Sequence, residues 1–218
     1  MTADGVTQSD DDNSPAHVRV PDDGLDSPKG GRGRFSFRGH MGPSPSQPIA
    51  WGARVEPAFR TRVRAIAARL GINPDWLMAC MAFETGRTFS PTIRNAAGSG
   101  AIGLIQFMPS TASALGTSVE ALADLSATSQ LVYVEKYFKP SRGRMRSLED
   151  VYMAILWPGG IGKADEFRLF SQHDTKHPKR YLQNRGLDWN EDGYITKAEA
   201  CAGPARELRL GLMGENPA

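Results

Sequence analysis

From about Glu56 onward, apolar positions recur mostly at helical spacing. Val63, Ile66, Ala67 and Leu70 form one stripe, and Gly71 supplies a stop. Asn73 reads as an N-cap with Pro74 at the first helical position, opening a helix that runs through about Thr85 and ends at Gly86. Further short helices are expected at 110–115, 119–124, 128–138, 148–156 and 163–170. Ser126 and Ser147 serve as caps, and Ser147 has an acid three residues later at Asp150. Strand-like alternation is almost absent, apart from a few residues at 92–95. The pattern predicts a mainly α, helical globule over 51–170. Residues 171–218 form a weakly patterned connector, to about 187, and a distinct C-terminal element.

Residues 1–50 read differently. Asp10, Asp11, Asp12, Asp22, Asp23 and Asp26 make an acidic front, followed by Lys29, Arg32, Arg34 and Arg38 among glycines, then Pro43, Pro45 and Pro48. So few apolar residues cannot offset the entropy of ordering, so a disordered leader or tether is expected. A basic arm for an anionic polymer or lipid surface is the other reading.

The 218 residues suit one domain with appendages. A net charge of +2 does not indicate wholesale binding of nucleic acid. No run approaches the roughly 18 apolar residues of a membrane span, and the acidic N-terminus lacks the apolar core of a signal peptide. A soluble monomer without an export signal is expected, delivered to any external substrate by other means. Cys80 falls in a helix pattern and Cys201 after a polar loop, so two free thiols are expected. His40, His173 and His177 show no metal-ligand spacing, which disfavours a zinc hydrolase.

One carboxylate stands out. Trp76, Cys80 and Glu84 lie four residues apart on one side of the helix from Asn73. Leu77, Met81 and Phe83 make the helix apolar nearly all round, so it should be central. A glutamate at the end of such a helix is partly desolvated, which raises its pKa as a general acid requires. The alternative is an ion pair with Arg87 or Arg94. Beyond it, Gly98, Gly100 and Gly103 leave a surface without side-chain bulk, and Gln106 offers the donor and acceptor that suit sugar hydroxyls and N-acetyl groups.

Glu84-Thr85, then Phe89-Ser90-Pro91, then Gly-Ala-Ile-Gly-Leu-Ile-Gln-Phe-Met-Pro-Ser-Thr-Ala at 100–112 together resemble the soluble-type lytic transglycosylases, which share the lysozyme-like fold. The resemblance covers roughly residues 57–170. It implies a peptidoglycan-cleaving enzyme with Glu84 as catalytic acid and base. Thr85, Gly103, Gln106 and Phe107 would then line the saccharide site. Thr85 replaces the family's usual serine. The family's Ala-Tyr-Asn-Ala-Gly motif falls on 154–159 without its tyrosine and asparagine, so Tyr152 or Tyr133 is expected to bring a hydroxyl near the carboxylate. The reaction implied needs one carboxylate and gives a 1,6-anhydro product. A hydrolytic muramidase would need a second acid, for which Asp124 and Glu135 are the candidates. A glycan-binding module without catalysis is a third reading. Without an export signal, a phage or prophage lysis protein, a virion component or an injected effector fits.

The segment 188–199, Asp-Trp-Asn-Glu-Asp-Gly-Tyr-Ile-Thr-Lys-Ala-Glu, fits the twelve-residue EF-hand loop. Asp188, Asn190, Asp192, Thr196 and Glu199 place oxygens at positions 1, 3, 5, 9 and 12, and Tyr194 offers its carbonyl at 7. Gly193 takes the sharp turn. One structural Ca2+ is expected, with 197–212 as the outgoing helix. With a single loop, a signalling switch is the weaker reading.

Overall fold

The computed structural model describes residues 48–95 and 98–213. Among the described residues eight helices dominate: α1 (Pro57–Leu70), α2 (Pro74–Glu84), α3 (Pro109–Ala114), α4 (Val119–Ala123), α5 (Ala127–Phe138), α6 (Leu148–Leu156), α7 (Pro178–Asn184) and α8 (Lys197–Leu212). The mainly helical architecture agrees with a lysozyme-like domain. None of these helices is long and apolar enough to cross a membrane.

Local signals set most boundaries. Gly71 closes α1 at φ 74°, and the Asn73 carboxamide accepts from the Asp75 amide to open α2. Ser126 and Ser147 cap α5 and α6 as expected. Asp150, however, does not complete a capping box. Its carboxylate turns away to accept from the amides of Arg146 and Gly162 and from the Lys197 ammonium.

α2 is the central element: Leu77, Met78, Ala79, Cys80, Met81 and Ala82 are all fully buried. It packs against α1, α6 and, above all, α8. The C-terminal element is therefore no appendage. Ile195, Ala200 and Cys201 join the same hydrophobic cluster as Leu77, Val151 and Tyr152. The expected division near residue 170 is replaced by one core that the last helix completes.

Three further expectations need correction. Residues 163–170 were expected to be helical, but end in strand β1 (Arg168–Ser171), which pairs antiparallel with β2 (Tyr194–Thr196). Phe170 alone of that strand is buried, and the distant partner strand supplies the backbone bonds. The connector 171–187 contains α7, with Pro178 at its start. Ile49 and Ala50, assigned to the leader, are buried, and the Ala50 amide donates to Asp75. The remaining leader residues, 1–47, lie outside the described residues. The brief extended signal at 92–95 survives as a bridge between Arg94 and Ile102. Cys80 and Cys201 are both free and buried.

Candidate functional site

Glu84 is the last residue of α2 and is 2% exposed. Its Oε1 is sealed from water and accepts no hydrogen bond. Burial alone pushes its pKa up to about 8. The ion-pair alternative fails: no arginine charge acts on Glu84, the Arg87 guanidinium being engaged in a two-bond pair with Glu207 of α8, at 2.9 and 3.0 Å, while the Arg94 charge acts on Glu120. Of the five buried carboxylates among the described residues, Glu207 and Asp150 are matched by Arg87 and Lys197. Asp188 and Glu199 belong to the C-terminal loop. Glu84 is left as a buried, uncharged acid holding a proton near neutrality.

Neither candidate second acid joins it. Glu135 is bound through both oxygens to Arg69 of α1, which holds its carboxyl below the usual range. Asp124 is an exposed residue at the end of α4.

The surroundings of Glu84 come from α5 and α6. Burial, and then the Glu84 charge, push the phenols of Tyr137 and Tyr152 well up. Tyr152 is fully buried, its ring edge-on to Phe83 at 5.6 Å. The Tyr137 hydroxyl donates to the carbonyls of Ala154 and Ile155 at the end of α6, at 2.9 and 3.2 Å. Its ring meets Phe107 edge-on at 6.2 Å. The Glu84 charge is thus felt at Tyr152, one of the two tyrosines expected to bring a hydroxyl near the acid. Tyr133, the other expected tyrosine, has a lysine neighbour. It is half-buried and packs under the Lys136 ammonium, 4.9 Å from the ring centre. Tyr137, four residues on, was missed. Its signal was the helical spacing that puts it next to Phe138 and three residues after Val134 on the inward side of α5.

The remaining expected groove residues are buried, with the Thr85 hydroxyl and the Gln106 amide nitrogen bonded to the backbone. The Thr85 hydroxyl is fully buried, donating to the Met81 carbonyl at 2.7 Å and accepting from the Phe89 amide at 3.0 Å. It fixes the reversal after α2, where Arg87 and Phe89 adopt left-handed φ of 68° and 51°. Phe107 is core. Gln106 is buried, its amide nitrogen donating to the carbonyls of Gly103 and Ile93, while its Oε1 is buried without a partner.

Gly103 is bare for a reason the sequence did not reveal. It sits at φ 77°, and a Cβ there would overlap the Gln130 carboxamide. That carboxamide accepts from the Leu104 amide at 2.8 Å and donates to the carbonyls of Pro91 and Leu122, at 3.0 Å each. Gln130 thus ties the Gly-rich segment to α4, α5 and the 89–91 turn, with every polar atom of its amide used. A glutamine one residue before Leu131 and four before Val134, on a helix face otherwise apolar, was the available signal.

The second candidate site is the loop 188–199 between α7 and α8. Asp188 Oδ2 accepts from the Gly193 amide at 3.0 Å and from the Tyr181 hydroxyl at 2.6 Å. The Asn190 oxygen accepts from the Asp192 amide, and Asp192 in turn accepts from the Tyr194 amide. Glu191 and Gly193 turn the chain at φ 57° and 81°. Thr196 and Glu199 form a reciprocal capping box at the start of α8, in which Glu199 Oε2 accepts from the Thr196 amide and hydroxyl. Each end of the loop therefore has one carboxylate oxygen committed and one not: Asp188 Oδ1 and Glu199 Oε1 are buried without a hydrogen-bond partner. Two orphaned anionic oxygens are costly unless a cation meets them, and the oxygen-only donor set suits a hard divalent ion. Among the described residues, no three His, Cys, Asp or Glu side chains gather at one point. Asp192 and Asn190 lie on the exposed side of the loop. The strand that a paired loop would supply is replaced by β1, whose Phe170 lies opposite Ile195.

The family model of the transglycosylase SLT domain matches residues 62–136. The match begins in α1, contains Glu84, the Gly-rich segment and Gln130, and ends one residue before Tyr137. It supports an enzyme acting on peptidoglycan. No curated protein and no solved structure matches the chain.

Proposed function

We infer that this protein, whose residues 62–136 match the transglycosylase SLT domain, is a lytic transglycosylase that cleaves the MurNAc–GlcNAc β-1,4 bond with Glu84 as its single acid and base. The observation that carries this reading is the state of that side chain: buried, unpaired and raised to about 8. Protonated Glu84 gives its proton to the glycosidic oxygen as the bond from the anomeric carbon breaks, while the substrate's N-acetyl group assists at that carbon. The carboxylate then takes the proton of the sugar's own 6-hydroxyl, whose oxygen closes the 1,6-anhydro ring. No water is consumed and the acid is regenerated. A hydrolase with two carboxylates is less well supported, because Glu135 is held by Arg69 and Asp124 is exposed.

The test is to incubate purified sacculi with the protein and with Glu84→Gln, then weigh the released muropeptides. Anhydro ends from the wild type alone are expected. Reducing ends would make it a muramidase, and intact sacculi in both arms would make it a binding module.

The loop 188–199 is proposed to hold one structural Ca2+ through Asp188, Asn190, Asp192, Thr196, Glu199 and the Tyr194 carbonyl. The two orphaned oxygens at its ends support this. A calcium-dependent rise in melting temperature, lost in Asp188→Ala, is expected; identical melting of both proteins with and without calcium would reject the site. The phage or prophage setting, with action on the cell wall after release, also stands as a proposal.

A further inference from the structure

The cation loop and the acid are joined by a single element. Glu199 lies in the first turn of α8, and α8 is the helix that covers α2. At that turn, Lys197 buries its ammonium against Asp150 of α6 and the Lys163 carbonyl, 2.9 Å from each. Farther along, Gly203 lies bare against the Phe83 ring, where any Cβ would overlap it. A turn later, Glu207 holds Arg87, and its carbonyl accepts from the Trp51 indole at 2.9 Å. Phe83 precedes Glu84 by one residue and Arg87 follows it by three. α8 thus grips the chain on both sides of the buried acid.

The energetics give the linkage a direction. Without a cation, the closed loop retains two desolvated carboxylate oxygens with no partner: Oδ1 of Asp188, whose Oδ2 is tied to α7 through Tyr181, and Oε1 of Glu199 in the first turn of α8. Lifting the start of α8 would rehydrate Glu199, so the apo loop favours partial opening. A cation that binds only the closed loop removes that gain.

We propose that occupancy of the 188–199 loop by a divalent cation regulates the active site, by setting how firmly α8 is seated on α2 and hence whether the chain around Glu84 is closed. This rests on the calcium reading of the loop. A bound cation keeps Phe83 and Arg87 clamped and the acid dry; its removal loosens α8 and the 84–89 turn together.

Amide hydrogen exchange on the full chain, in calcium chloride and in EDTA, tests this, with calorimetry of calcium binding alongside. Calcium at 100 times its Kd is expected to raise protection in α8 and at 81–89 together, by up to about 100-fold, while α1 and α5 change much less. Glu199→Gln should abolish both the binding heat and the difference. Glu207→Gln should keep the binding heat and the protection of the first turn of α8, yet lose most of the gain at 85–89. Calcium binding with no change at 81–89 overturns the coupling while leaving the loop assignment intact. An equal gain in every helix also overturns it, because the ion then acts on global stability alone. Absence of binding heat rejects the loop reading and the coupling together. Cation-dependent protection in a protein that leaves sacculi intact upholds the coupling and rejects the transglycosylase reading.

Discussion

The ring of Phe83 occupies the space where a side chain at Gly203 would begin, so α2 and α8 meet there without any intervening atom. Phe83 also stands edge-on to Tyr152 and is the residue before the acid, so the contact adjoins Glu84 along the chain. Gly203→Ala is therefore expected to push α8 outward and cost about 1–3 kcal/mol, the usual range for overpacking. Urea denaturation measures the loss. Hydration of Glu84 in the same variant should lower its pKa, visible as an earlier alkaline fall in sacculus cleavage.

Removing the proton donor should separate activity from stability. Glu84→Gln keeps the shape of the side chain and removes its titration. Release of muropeptides should drop by at least about 100-fold, the lower range for loss of a general acid. Folding should not suffer. A variant that loses activity only because it unfolds would contradict the role given to Glu84.

The same residue predicts how stability changes with pH. Its folded pKa of about 8 lies above the 4.5 of an ordinary glutamate. Between those values the folded protein keeps a proton that the unfolded chain has released, so this group's contribution falls as pH rises and the full penalty is present above about 8. Glu84→Gln should accordingly be more stable than the wild type at pH 8.5, by on the order of a few kcal/mol. The difference should vanish near pH 4. Parallel urea titrations at the two pH values check it.

Cleavage should show the matching dependence. The reaction starts from protonated Glu84, so turnover is expected to hold through neutrality and decline as pH passes about 8. The groups that face the acid, Tyr137, Tyr152 and Cys80, all have their pKa values raised by burial. The first alkaline limb therefore belongs to Glu84, and a limb centred near pH 5 would contradict the assignment.

Gly103 supplies a test of its contact with Gln130. Gly103→Ala forces an alanine to φ 77° and drives its methyl into Gln130. The backbone cost alone is about 1–3 kcal/mol. Gln130→Ala removes the clash but leaves the Leu104 amide without its acceptor. The double variant should therefore be less impaired than the sum of the singles, measured as a coupling energy from denaturation of all four proteins.

The local code was legible in proportion to its range. α1, α2, α5 and α6 follow from apolar stripes closed by Gly71, Asn73-Pro74, Ser126 and Ser147, each of which acts through atoms within a few residues. α8 was legible from 197 to 212 despite Gly203 and Pro204. β1 was not legible. Its hydrogen bonds come from Tyr194–Thr196, and no pattern in 163–171 reports a partner so far away. Gln106 was read as facing a ligand because its amide suits sugars, and Thr85 was placed at the site by the resemblance. The structure turns the polar groups of both inward, onto Gly103, Ile93, Met81 and Phe89.

By itself the sequence determined most of the helices, the acid at the end of one that is apolar nearly all round and the oxygen spacing of the 188–199 loop, because each depends on neighbours along the chain. Only the tertiary structure decided that the acid has no counter-charge, that Tyr137 and Tyr152 face it, and that Gln130 fills the space over Gly103. It also decided that the last helix closes the core instead of hanging beyond it. Those outcomes depend on which surfaces exclude water from one another, and Phe83 against Gly203, 120 residues apart like the pair Arg87 and Glu207, is set by packing alone.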